Sequence, residues 1–167
     1  MRSLSLSFFA VVAASGCAGA RWTVADTHPV VAVAVAPAET HGAANAKVAA
    51  AQRQALIATL RARGYSIVED NGRALPGTAR IALRFDGHTV SDAQMHAPDD
   101  VRHNIYNDLS YSFVAYKVRL DVTTADGSKM AEGAGEANGD PSGVMKKLTE
   151  RLVTDVPPSR TDTFAKR

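Results

Sequence analysis

Two stretches of strict alternation constrain this chain more than any other feature. Over 79–90, Ile81, Leu83 and Phe85 fall on one side of an extended chain, and Arg80, Arg84 and Asp86 on the other. Over 111–124, Val114, Tyr116, Val118, Leu120 and Val122 oppose Phe113, Lys117, Arg119, Asp121 and Thr123. A two-residue period with one apolar and one charged side predicts long antiparallel strands in a sheet that packs on one face and meets water on the other. Asp126-Gly127 then marks a hairpin, because both residues tolerate the positive φ of a tight turn. The returning strand, 128–137, is made of small residues, Ala131, Gly133, Ala134, Gly135 and Ala137, which leave room for a helix to come close.

The apolar face needs a cover, and two segments supply it. Residues 43–63 contain no Gly or Pro, and place Leu56 and Leu60 one turn apart with Ile57 beside them; Gly64 stands where a helix C′ residue of positive φ belongs. A second helix starts at Asp140-Pro141, an N-cap carboxylate followed by proline, and carries Val144, Leu148, Leu152 and Val156 at four-residue steps until Pro157-Pro158 stop it. Ahead of the first helix, 30–36 reads Val-Val-Ala-Val-Ala-Val-Ala, apolar on both sides as in a strand interior to a sheet; after it, 65–68 is a short returning strand. A strand-helix-strand crossover favours parallel pairing. The order β-α-β-β-β-β-α therefore predicts an α/β (α+β) two-layer sandwich: a mixed sheet, two helices on one face and solvent on the other.

The amino terminus is a different kind of segment. Arg2 precedes the apolar residues Leu4, Leu6, Phe8, Phe9, Val11 and Val12, and Ser15-Gly16 precede Cys17, the single cysteine of the chain. The run is too short for a transmembrane helix, which needs about 20 apolar residues. It resembles the signal peptide and lipobox of bacterial lipoproteins. That resemblance implies removal of residues 1–16, acylation of Cys17 with palmitate-type chains, and, since Ala18 rather than Asp follows, a periplasm-facing location at the outer membrane. The competing reading is an ordinary cleaved signal peptide with a chance cysteine near its end. On the lipoprotein reading, 17–28 is a lipidated tether, 29–158 the α/β domain and 159–167 a polar tail. Removing 1–16 from 167 residues leaves 151, one domain with one core.

Charge argues against nucleic acid as a partner. The net charge is +2, cleavage removes Arg2, and the remaining basic residues are scattered without a stripe of interleaved aromatics. A lone cysteine also rules out an intramolecular disulfide.

The lipobox, the apolar strand, the run Gln54-Ala55-Leu56-Ile57-Ala58-Thr59-Leu60-Arg61-Ala62-Arg63-Gly64-Tyr65-Ser66-Ile67-Val68, the alternating strands and Leu148…Leu152…Val156-Pro157 together resemble small α/β outer-membrane lipoproteins. Two branches share this order. One is a broad class of envelope lipoproteins of uncharacterised activity. The other is the lipopolysaccharide-assembly lipoprotein family, which plugs an outer-membrane barrel; the chain departs from it at Ala18-Gly19-Ala20-Arg21-Trp22, where a Gly-aromatic-x-Leu-Arg stretch is common, and in its short last helix.

Sites of chemistry are sparse. His88, His96 and His103, with Asp92, Asp99, Asp100 and Asp108, lie on a strand end and a long loop; they offer a candidate metal site, although no compact His-x-x-x-His pair exists and a solvated acidic loop accounts for them better. Gly133-x-Gly135-x-x-x-Gly139 is one residue too long for a dinucleotide fingerprint, and no Gly-x-Ser-x-Gly elbow is present. Glu132 and Glu136 share one side of a strand, where they solvate the open face. No cofactor and no catalysis are expected. Arg80, Arg84, Lys117 and Arg119 beside Phe113 form a candidate interaction surface for an envelope protein, peptidoglycan or a glycolipid headgroup, or else a face that is merely solvated. The expected role is a non-enzymatic, lipid-anchored interaction or assembly module of the envelope; the alternatives are a barrel-associated lipopolysaccharide-assembly factor and a small-ligand or metal binder using the histidine loop.

Overall fold

The computed structural model describes residues 20–26, 28–70, 76–91 and 112–159. The elements are β1 (Arg21–Val24), β2 (Ala32–Val35), β3 (Glu39–Gly42), α1 (Ala46–Ala62), β4 (Ser66–Val68), β5 (Thr78–Ser91), β6 (Ser112–Thr123), β7 (Lys129–Asn138) and α2 (Ser142–Asp155). Strand order across the open sheet is β1-β7-β6-β5-β2-β4, with β3 also pairing β5. β5, β6 and β7 pair antiparallel, whereas β2 runs parallel to both β4 and β5, so the sheet is mixed. Both helices cover one face, giving the two-layer α+β sandwich that the alternation predicts.

The inward side of that alternation is the core. Ile81, Leu83 and Phe85 from β5 and Val118, Leu120 and Val122 from β6 are buried against Leu56 and Leu60 of α1 and Leu148 and Leu152 of α2. β2 lies inside the sheet between β4 and β5, which is why Val33 and Val35 and also Ala32 and Ala34 are buried.

Helix boundaries follow local chemistry. α1 starts at Ala46, later than 43, because Ala43 is still tied to the sheet through its N–H to Gly87 O (2.8 Å) and Asn45 is the cap, its side chain accepting from Lys47 N at 2.9 Å. Gly64, at φ +87°, turns the chain out of the helix. α2 starts at Ser142, with Asp140 capping from one residue further out than expected: its carboxylate accepts from Ser142 N at 3.0 Å and Ser142 Oγ at 2.6 Å, and these bonds hold it below the usual carboxylate range.

Two strands are not legible in the alternation. Arg21–Val24, expected within the tether, is the edge strand β1, antiparallel to β7. It fits because Trp22 sits opposite Gly133, where an added Cβ would lie 2.5 Å from the indole Cε3 and 2.6 Å from Leu148 Cδ2. The small residues of β7 thus admit α2, as expected, and Trp22 as well. β3 takes up the pairing with β5 beyond β2, after Ala36 and Pro37 interrupt the strand. Arg53 of α1 covers the break, its guanidinium donating to Val35 O (2.6 Å) and Ala36 O (2.7 Å). The far end is closed by the carboxyl-terminal segment: Val30 N donates to Pro157 O at 3.1 Å and Ser159 N to Val30 O at 2.7 Å.

Candidate functional site: the open sheet face

The side chains that alternate away from the core form rows running across the strands. One row is Glu39, Arg84, Arg119, Ala134 and Arg21, on β3, β5, β6, β7 and β1 in turn. On one side of it lie His41, Asp86, Lys117 and Glu136; on the other, Asp121, Glu132 and Thr23. The face therefore mixes both signs, with arginines concentrated in the middle row and carboxylates on either side of it. All five residues expected to form the interaction surface, Arg80, Arg84, Phe113, Lys117 and Arg119, share it, with Arg84, Lys117 and Arg119 exposed and Arg80 and Phe113 half-buried.

Several charges are engaged within the face. The Arg80 guanidinium forks onto Asp70, with two contacts of 3.1 Å, and only 6% of the Asp70 side chain is exposed. Arg84 donates to Glu39 at 3.0 and 3.3 Å. The Lys129 ammonium donates to Glu132 and lies 3.9 Å from Asp121; through the Glu132 bond the lysine is raised and the glutamate lowered from their ordinary pKa values. Arg119 and Arg21 make no ion pair within 4 Å among the described residues. The alternation of β6 predicts Arg119 on this face. Arg21 escapes sequence reading because four residues of edge strand carry too short a pattern to separate from a tether.

His88 is exposed on this face opposite Ala115; His96 and His103 fall outside the described residues, as does Cys17. Among the described residues no group of three His, Cys, Asp or Glu side chains is arranged to hold a metal ion. Glu132 and Glu136 lie on the open face, and Glu132 is taken up by Lys129, as befits solvated surface carboxylates.

The helical layer has a feature of its own. A groove of about 730 Å³ runs between α1 and α2, floored by Leu56, Met145 and Val153 and rimmed by Arg63, Lys146 and Glu150. No described helix is long and apolar enough to cross a membrane.

With this geometry in place, one comparison bears on the fold. The likeness is to PelC. A solved dodecamer of a PelC point variant from Paraburkholderia phytofirmans matches with a TM-score of 0.52 at 12% identity, over 86% of this chain and all of the PelC chain. At that identity the likeness to PelC is one of fold. No family model and no curated protein sequence matches the chain.

Proposed function

We propose that this chain is a non-enzymatic, lipid-anchored protein of the bacterial envelope, held at the outer membrane through Cys17 and facing the periplasm, whose sandwich acts by contact with an envelope protein or glycolipid. One observation carries the reading: the cysteine that ends the apolar leader stands four residues before β1, so the anchor passes almost directly into the sheet. The mixed charges of the open face add a surface with both signs available for a partner.

Alkyne-palmitate labelling in a bacterial host tests the anchor. The wild-type chain should take up label and float with membranes, and Cys17→Ser should take up none; equal labelling of the two would sink the reading. Crosslinking from native membranes then identifies the contact. A single barrel partner would replace the scaffold reading by the lipopolysaccharide-assembly one, whereas several envelope partners would support it. PelC, with which the fold is shared, is a dodecamer, and self-association would appear in the same experiment as a ladder of the chain's own mass.

A further inference from the structure

The basic row of the open face has a gap in it. Arg119 of β6 and Arg21 of β1 both pair with Ala134 of β7, one from each side, so the two arginines share a face with only a methyl group between them. Strand spacing puts their backbones about 10 Å apart, a span that two long side chains can close over one anion. Arg84 stands directly opposite Arg119 on the far side, and like charges in that position repel. Arg84 has Glu39 as a partner. Arg119 and Arg21 are exposed and have no such partner among the described residues. The carboxylates on the neighbouring rows share the cations there: Glu132 accepts from Lys129, which also lies near Asp121, and its pKa is lowered further by the Arg119 charge, and Lys117 stands opposite both Asp86 and Glu136. Arg119 and Arg21 are therefore the two arginines of this face that no carboxylate holds in an ion pair within 4 Å among the described residues.

Chain length selects the anion. Four peptide units separate Cys17 from Arg21, which keeps their Cα atoms within about 14 Å of each other. A lipid on Cys17 would hold Arg21 at the depth of the headgroups, where phosphate is abundant. We propose that Arg21 and Arg119, facing each other across Ala134, bind the phosphate of an anionic phospholipid headgroup, so that the β1 side of the open sheet face lies against the bilayer. This rests on lipidation of Cys17. It turns the helical layer, with its groove, away from the membrane.

Arginine footprinting tests this on the lipidated wild-type chain, reconstituted in vesicles of phosphatidylcholine alone or of phosphatidylcholine with phosphatidylglycerol. Phenylglyoxal modification is read residue by residue by mass spectrometry. Phosphatidylglycerol should slow modification of Arg21 and Arg119 by at least about fivefold, the equivalent of roughly 1 kcal/mol for a basic residue at an anionic surface. Arg63, on the helical side, should react equally in both vesicles, and Arg119→Gln should return Arg21 to its phosphatidylcholine rate. Equal reactivity of Arg21 and Arg119 in the two vesicles would overturn the proposal, as would protection of Arg63 to the same degree. Full protection by millimolar inorganic phosphate in phosphatidylcholine vesicles would also overturn it, since the site would then take a free anion. Because these measurements use protein already shown to carry palmitate, their failure leaves the anchor standing; loss of the palmitate label removes the anchor first.

Discussion

Tyr65 shows how much one side chain can tie together here. It follows the Gly64 turn, is 5% exposed, and donates its hydroxyl to Val156 O at 2.6 Å, joining the end of α1 to the end of α2. Burial pushes its phenol from 10.0 up to about 12, against a weaker opposing pull from Arg63. A raised pKa means the folded state favours the neutral phenol. That contribution is complete below the unfolded value near 10 and is lost as pH rises through about 12. Tyr65→Phe leaves the Val156 carbonyl buried without its donor and should cost about 1–3 kcal/mol in denaturant unfolding at pH 7. The same variant should flatten the loss of stability between pH 10 and 12 seen in the wild type; an unchanged alkaline slope would assign it to other groups.

At the scale of elements, the alternation of β5 and β6 is enough to name their inward and outward sides, because each has more than ten residues under one repeating constraint. β1 and β3 have four residues each, largely polar, and borrow their pairing from neighbours already in place. The interruption between β2 and β3 leaves carbonyl groups that the ladder alone does not satisfy, and Arg53, reaching across from α1, supplies the donors. No local pattern around Arg53 announces that contact, which spans 17 and 18 residues of sequence. Replacing it by methionine keeps much of the packing and removes both charge-assisted bonds. Arg53→Met should therefore lower stability by about 2 kcal/mol, read as a lower urea midpoint with an unchanged slope.

For the whole molecule, Gly133 is the position where the two layers and the edge strand meet. Trp22 and Leu148 both occupy the space that a Cβ would need. Gly133→Ala should force α2 or β1 outward and cost about 1–3 kcal/mol, with faster hydrogen exchange in β1 than in the central strands. Exchange that speeds up evenly across the sheet would mean that β1 is not the element displaced. β1 also carries Arg21, so its position links the fold to the charged face and to whatever lies near Cys17.

From sequence by itself come the layer architecture, the wet and dry sides of the long strands, both helices and the placement of Arg80, Arg84, Lys117 and Arg119 on the open face. These are properties of periodic patterns, and a period of two or of 3.6 survives without any knowledge of neighbours. Only the tertiary structure placed Arg21 on that face, set it across Ala134 from Arg119, and brought Arg53 to the break between β2 and β3. Those relations depend on register between strands distant in the chain, and register is decided by the summed packing of the core and by the room that Gly133 leaves for Trp22, which no single segment encodes.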